Sequence, residues 1–401
     1  MTARWAPRAL ALMTIATVLV YGAFTALRAA QQPAPTAVVV SDKELAAAIN
    51  TLGAFDFPAR MAASRTVRRA APALAVPALA AAARSHADSF VQYRALVLLA
   101  GFDDRATPDV MQSLMKDRND RLRAVAYAWF EHHPSPSAVP ALLEALPRET
   151  SEFVRPSLTR ALAAQKNDVR AIAAVLPLVT SGEDFFRAEV IQALGDYRVT
   201  SARDAILAVA KLDGPLQDDA VLALGKLGDF SVMESLAQLQ RTVARERQPA
   251  IAAAICLLGA NCDAHQTFLR ETLRYAADTA GFQLLLRSTA HALGELAGRG
   301  NRAAMTALLD VGIPAGDTAR APIALALGVA AVRTPAGLLA AIADRKDQDA
   351  AIELLRDAFD MLEEDLEEEL FYVDVRRAYW AAPEGSAARR VAEAVIQKLE
   401  F

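Results

Sequence analysis

The sequence predicts an all-α protein, a right-handed α-solenoid of about ten helical hairpins behind an N-terminal hydrophobic segment. Three observations predict it. Ala makes up 89 of 401 residues and aromatics only 6%, which favours helices over strands rich in β-branched and aromatic residues. A signature ending in Ala/Leu-Leu-Gly closes at Gly195, Gly225, Gly259, Gly294 and Gly328, at spacings of 30, 34, 35 and 34 residues. Upstream, Leu99, Phe130, Leu162 and Leu194 continue the period at 31, 32 and 32. A fixed period of this size marks a stacked repeat array and overrides the two or three domains that length alone suggests.

The chain opens on Arg4 and Arg8, followed by 19 uncharged residues from Ala9 to Leu27 and then Arg28. A basic start, an apolar run and small residues after it describe an export signal. The run would span roughly 28 Å as a helix, so a retained signal anchor fits as well as a cleaved one. Residues 1–30 therefore read as signal peptide or signal anchor, and 31–41, with Pro33 and Pro35, as an extended linker. The charge placement keeps the terminus inside and exports the body. The expected address is the periplasm or cell envelope, secreted if the segment is cleaved near Ala29 or Ala30 and tethered if it is kept. Without residues 1–30 the chain carries 40 basic and 47 acidic residues, a net charge of −7. That balance lacks the footprint of a nucleic-acid binder and leaves membrane contact to the N-terminal segment alone.

Each repeat unit reads as two helices. In one of them, Val169 to Thr180 forms the first apolar-periodic run and Glu183 to Leu194 the second. Ser41-Asp42-Lys43-Glu44 is a capping-box pattern. Thr107-Pro108 and Gln248-Pro249 suit helix starts, and Pro215, Pro314 and Pro335 mark turns. The signature glycine is expected to end the second helix in a left-handed conformation. The residue before it is always Leu: Leu194, Leu224, Leu258, Leu293 and Leu327. Ile191, Val221, Ile255, Ala290 and Ala324 form a second apolar column, and Ala193, Ala223, Leu257, Ala292 and Ala326 a third. Small side chains there suit close-packed helices. Arg187, Glu189, Gln217, Asp219, Arg287, Ser288 and Arg320 form a polar column facing water or a partner. The solenoid is placed at 42–362 and an acidic, aromatic helical cap at 363–401.

These endings, with an acid close behind in Gly195-Asp196 and Gly228-Asp229 and an Arg eight before the glycine in two copies, resemble the HEAT repeats of bacterial HEAT-like and phycobilin-lyase-type proteins. The resemblance covers roughly residues 42–360. It implies stacked hairpins whose second helices form one long curved surface, and such surfaces usually bind proteins or peptides. It also raises a lyase-type enzyme, which predicts a pocket of convergent titratable groups on that face. A purely structural spacer predicts a featureless polar column.

The residues point to no catalytic, cofactor or metal site. HEAT-repeat metalloenzymes of the deoxyhypusine hydroxylase type carry His-Glu dipeptides, and the sequence has none. No HExxH, GxSxG or GxxxxGK[ST] pattern occurs. His132 and His133 are adjacent and diverge on a helix, at a helix end that suits the dipole. His291 and Glu295 share a face, in a column mostly apolar, so a packed, hydrogen-bonded His is expected. Cys256 and Cys262 are six apart and in an exported protein suit a local disulfide; the alternative is a core Cys256 and a free Cys262. The acidic run from Glu363 to Glu369 leads into Phe371, Tyr372, Tyr379 and Trp380. It reads as a solvated helix face before an aromatic cap, or as a docking strip for a basic partner. The expectation is a non-enzymatic scaffold or adaptor that binds a protein or peptide.

Overall fold

A computed structural model describes residues 40–362 and 365–400. The chain divides into Met1–Ser41 and Asp42–Phe401. The hydrophobic segment and the linker up to residue 39 lie outside the described residues, as do Glu363 and Glu364. Among the described residues no strand occurs, and no single helix is long and apolar enough to cross a membrane.

The second unit is a series of antiparallel helix pairs. They are α1 (Asp42–Thr51) with α2 (Phe57–Arg69), α3 (Pro72–Ser85) with α4 (Ser89–Ala100), α5 (Thr107–Leu114) with α6 (Asp120–His132), and α7 (Val139–Ala145) with α8 (Arg155–Ala164). Then come α9 (Val169–Val175) with α10 (Asp184–Asp196), α11 (Arg203–Ala210) with α12 (Gln217–Leu227), and α13 (Met233–Thr242) with α14 (Gln248–Leu257). The series ends with α15 (Cys262–Asp278) and α16 (Gln283–Gly298), α17 (Arg302–Gly312) and α18 (Asp317–Arg333), α19 (Pro335–Ala343) and α20 (Gln348–Leu362), and α21 (Asp365–Ala381) and α22 (Ala387–Lys398). Second helices pack on second helices, α6 on α8 on α10 on α12 and onward to α20. The columns read from sequence are the core. Leu194, Leu224, Leu293 and Leu327 are buried, as are Ile191, Val221, Ile255, Ala290 and Ala324.

Helix starts fall where expected at Asp42 and Gln248; Thr107, expected as the N-cap before Pro108, is instead the first helical residue, with Ala106 before it. Val169 to Thr180 is a helix that tightens into a 3-10 turn from Leu176 onward.

The signature glycine does different work from that expected. Gly195, Gly225, Gly294 and Gly328 sit inside helices with no left-handed backbone. A Cβ on Gly195 would lie 2.8 Å from Ala223 Cα, and one on Gly225 only 2.6 Å from Ala254 Cα. The glycine lets one inner helix touch the backbone of the next at an alanine, Ala223 opposite Gly195 and Ala254 opposite Gly225. The left-handed helix ends come later, at Gly228 with φ 75° and Gly300 with φ 86°. Only Gly259, with φ 82°, behaves as the sequence suggested. There α14 stops at Leu257, and Leu258 is only half-buried.

Cys256 and Cys262 are joined in a disulfide, their Cα atoms 4.3 Å apart. It ties the end of α14 to the first residue of α15 around Gly259 and Asn261, both left-handed. So short a loop restricts the unfolded chain by about 2 kcal/mol. Replacing both cysteines with Ala should lower stability by about that amount in denaturant titration. No change would show that the bridge constrains nothing the fold does not already hold.

The stack does not extend as a rod. Helix α21 packs against α18 and α19 at its own end and against α4 and α6 near the start. The seam is polar. The Arg68 guanidinium donates to Glu369 at 2.5 Å, both side chains buried, and lies 4.6 Å over the Tyr372 ring. Arg94 Nη1 and Tyr93 Oη both reach Asp365 at 2.6 Å, and His132 Nε2 lies 2.6 Å from Glu367 Oε1. Arg376 donates to the Arg68 carbonyl, and Arg65 to that of Glu400. Asp365, Glu367 and Glu369 of the acidic run thus have basic partners within their own chain, and the end units meet each other through α21.

This seam titrates. Burial alone would lower the His132 pKa, but the bond and charge of Glu367, helped by Glu131 and opposed by Arg160, hold it above 6.5. Burial would raise Glu367, but His132, Arg160 and Arg333 hold it below its ordinary value. A raised histidine stabilises fully below its unfolded pKa of about 6.5 and loses that share as pH rises through the folded value. A depressed carboxylate keeps its share down to acid below about pH 4.5. The native chain should gain stability on going from about pH 8 to about pH 6, by an increment that His132→Gln reduces. An identical pH profile in the variant would remove His132 from the account.

Candidate functional site

The inner helices surround a cavity of about 1920 Å³. Its wall runs from Tyr93 on α4, through α6, α8, α10, α12, α16 and α18, to Glu367 on α21.

One end of the cavity is bridged by charge. Asp196, the last residue of α10, meets Lys226 Nζ at 2.9 Å, Arg160 at 3.1 Å, and Arg299 and Arg333 at 3.6 Å each. Glu295 on α16 meets Lys226 at 2.5 Å and Arg333 at 2.9 Å. Arg160 also reaches Glu131 Oε1 at 2.8 Å, an oxygen that accepts from Tyr197 Oη at 2.7 Å. Lys226 and Glu295 are buried, at 3% and 2% exposure. The chemistry follows from helix polarity. Several inner helices converge with their carbonyl ends, where cations are favoured, and Arg299 donates to the carbonyls of Gly195 and Asp196 at 3.3 Å. Burial alone would raise Glu295, but Lys226, Arg333 and His291 hold it well below the usual carboxylate range. Asp196 is likewise held low, against burial, by Lys226, Arg333 and Arg160.

The other wall is under-compensated. Among the described residues Glu189 is ion-paired only with Arg160, 3.9 Å away and shared with Glu131 and Asp196. Asp219 accepts from Gln192 Nε2 at 3.0 Å. Asp218 Oδ2 meets Arg247 at 3.2 Å and Ser288 Oγ at 3.4 Å, while its Oδ1 is buried without a hydrogen bond. Burial pushes Glu189, Asp218 and Asp219 above their ordinary pKa values.

The seven polar-column residues divide. Glu189, Asp219, Arg287 and Ser288 line the cavity. Arg187, Gln217 and Arg320 do not: they turn back on the preceding helix and bond its last carbonyls. Arg187 Nε donates to Val179 O at 3.0 Å, Gln217 Nε2 to Ala210 O at 3.1 Å, and Arg320 Nη1 to Gly312 O and Ile313 O at 3.1 Å. Gln217 is buried. These side chains close each hairpin by satisfying carbonyls that a helix end leaves open. All three stand eight residues before the signature glycine, whereas the four that line the cavity stand six or seven before it, and that offset is the signal that separates them.

His291 departs from its expected packed role. It is 41% exposed, lies 3.7 Å from Glu295 and faces the cavity with Gln192 and Leu325 from the same column. His133 stacks on Trp129, ring centroids 4.1 Å apart, and bonds its carbonyl, while His132 serves the seam. Among the described residues no cluster of His, Cys, Asp and Glu has the geometry to hold a metal. Sequence reading missed Glu131, Arg160, Lys226 and Arg333, and it named Asp196 only as part of the repeat signature. Their partners lie tens of residues away, and no periodic column reports such pairs.

The HEAT-repeat family model matches residues 107–195. No curated protein matches the chain. Among solved structures, the chain is similar to YibA of Escherichia coli at 16% identity, over 55% of this chain and 82% of that one, with a TM-score of 0.41. It is similar to the CpcE–CpcF complex of phycocyanin lyase from Nostoc at 19% identity, over 65% and 96%, with a TM-score of 0.40. It is also similar to yeast importin-β at 12% identity, over 93% and 58%, with a TM-score of 0.38. The family match shows HEAT repeats over residues 107–195, and the same helix-on-helix stacking is carried through residues 42–362.

Proposed function

We propose that the chain is a non-enzymatic interaction scaffold of the cell envelope that holds a protein or peptide segment against the inner face of its solenoid. The observation that carries this is the cavity. Its 1920 Å³ exceeds the roughly 300–1,000 Å³ of small-molecule sites. Phe153, Phe185, Leu284 and Leu325 expose apolar surface along its wall, as a protein-binding surface does. Most of its charged groups are already ion-paired, which suits positioning and recognition better than proton transfer. Envelope placement rests on the N-terminal segment, which supplies export and, if kept, the only membrane contact.

A second reading has one observation in its favour. A pocket with converging titratable groups is what a lyase-type enzyme requires, and His291, Glu189 and Asp219 face the same space. Photo-crosslinking separates the two. A crosslinker in place of Phe185, in the cavity, should yield adducts with a defined protein, and one in place of Gln238, exposed on α13, should not. Equal labelling at both sites, or none at Phe185, would end the scaffold reading. Fractionation and N-terminal sequencing test the address: mature protein beginning near Gln31 rules out the anchor.

A further inference from the structure

The apolar side chains of the wall are not scattered. Phe153, Phe185 and Leu284 stand just before or at the first turn of α8, α10 and α16, and are 63%, 68% and 68% exposed. The carbonyl ends of α10, α12, α16 and α18 are bridged at the charged floor, so these three mark the open mouth. Between mouth and floor, α10 presents Phe185, Glu189, Gln192 and Asp196 at helical spacing.

Charge selects what can sit there. Among the described lining residues, eleven carboxylates face six guanidinium groups, with Lys226 behind the floor. Glu152, Asp213 and Glu246 precede helix starts, where acids offset the dipole. Glu189 has no such reason, since it lies in the middle of α10. Glu189, Asp218 and Asp219 together have two guanidinium partners, one of them shared. The aromatic rings nearby also offer faces to a cation.

We propose that the mouth takes an extended segment of a partner protein in which Arg or Lys alternates with large apolar residues. The cationic heads sit among Glu189, Asp218 and Asp219, and the apolar side chains lie against Phe153, Phe185 and Leu284. This rests on the inner face being the binding surface and adds the chemistry of the occupant.

Fluorescence anisotropy of the full chain tests it with three labelled dodecapeptides: alternating Arg and Leu, the same with Glu for Arg, and the same with Ser for Arg. The Arg peptide should bind at least about tenfold more tightly than either twin, and weaken as salt rises. Glu189→Gln with Asp219→Asn should weaken it about tenfold, and Phe185→Ser should weaken it independently. Asp204→Asn with Asp349→Asn, both outside the cavity lining, should leave it unchanged; near-native thermal melts exclude misfolding. If the Ser peptide binds equally and still depends on Phe185, the inner-face reading stands and the cationic occupant is overturned. If no peptide depends on Phe185, both fall. Self-association of the chain alone that Phe185→Ser abolishes would put a second copy in the mouth and overturn the proposal.

Discussion

Lys226→Met should destabilise the fold by about 3–5 kcal/mol, the cost typical of breaking a buried ion pair from one side. Lys226 joins two buried carboxylates from inner helices far apart in sequence, Asp196 on α10 and Glu295 on α16. Methionine keeps the stem and removes the charge. Arg333 still reaches both acids, but at 3.6 Å from Asp196 and 2.9 Å from Glu295 it sits farther from each than Lys226, at 2.9 and 2.5 Å, and Arg299 reaches Asp196 alone. The sign of the pH effect identifies the mechanism. In the native chain Asp196 and Glu295 have depressed folded pKa values. Their contribution is therefore present above their unfolded values near pH 4 and is lost only as pH falls through the depressed ones. In the variant both pKa values rise, and protonation relieves the buried charge. The deficit against the native chain should shrink as pH falls below about 5 in matched denaturant titrations. A deficit that stays constant with pH would assign the loss to packing instead.

Gly225→Val should cost about 3 kcal/mol, although valine is the better helix former at an exposed site. A Cβ at Gly225 meets Ala254 Cα at 2.6 Å and the Ala254 carbonyl oxygen at 2.8 Å. Both atoms are backbone, so α12 and α14 would have to part. Gly316 is the control: nothing lies within 4 Å of its added Cβ, its φ is −72°, and Gly316→Ala should be nearly neutral. Gly228 separates the two roles a glycine can play here. It has open space around it but a φ of 75°, so Gly228→Ala should cost about 1–2 kcal/mol from backbone strain alone. If Gly225→Val cost no more than Gly228→Ala, the close-contact role would be wrong.

The glycines show where sequence reading succeeded and where it slipped. Their period located every inner helix from α10 to α18, because each copy must meet its neighbour in the same way. Their role was misread because one residue type serves two needs, a left-handed turn and a bare surface. Nothing at Gly195 itself tells them apart; the alanine that crosses it, Ala223, does. The polar column was similarly mixed. Glu189 and Arg187 are two residues apart on one helix, yet one faces the cavity and the other bonds the helix before it.

Sequence alone determined that the described chain is helical, at what period its pairs recur, and which columns are buried, because these depend on neighbours one turn or one repeat away. Tertiary structure alone decided that Asp365, Glu367 and Glu369 meet Tyr93, Arg94, His132 and Arg68, and that Asp196, Lys226, Glu295 and Arg333 share one end of a cavity. Small rotations between successive pairs add up over the stack until its ends touch. A sum of small rotations is written in no single repeat.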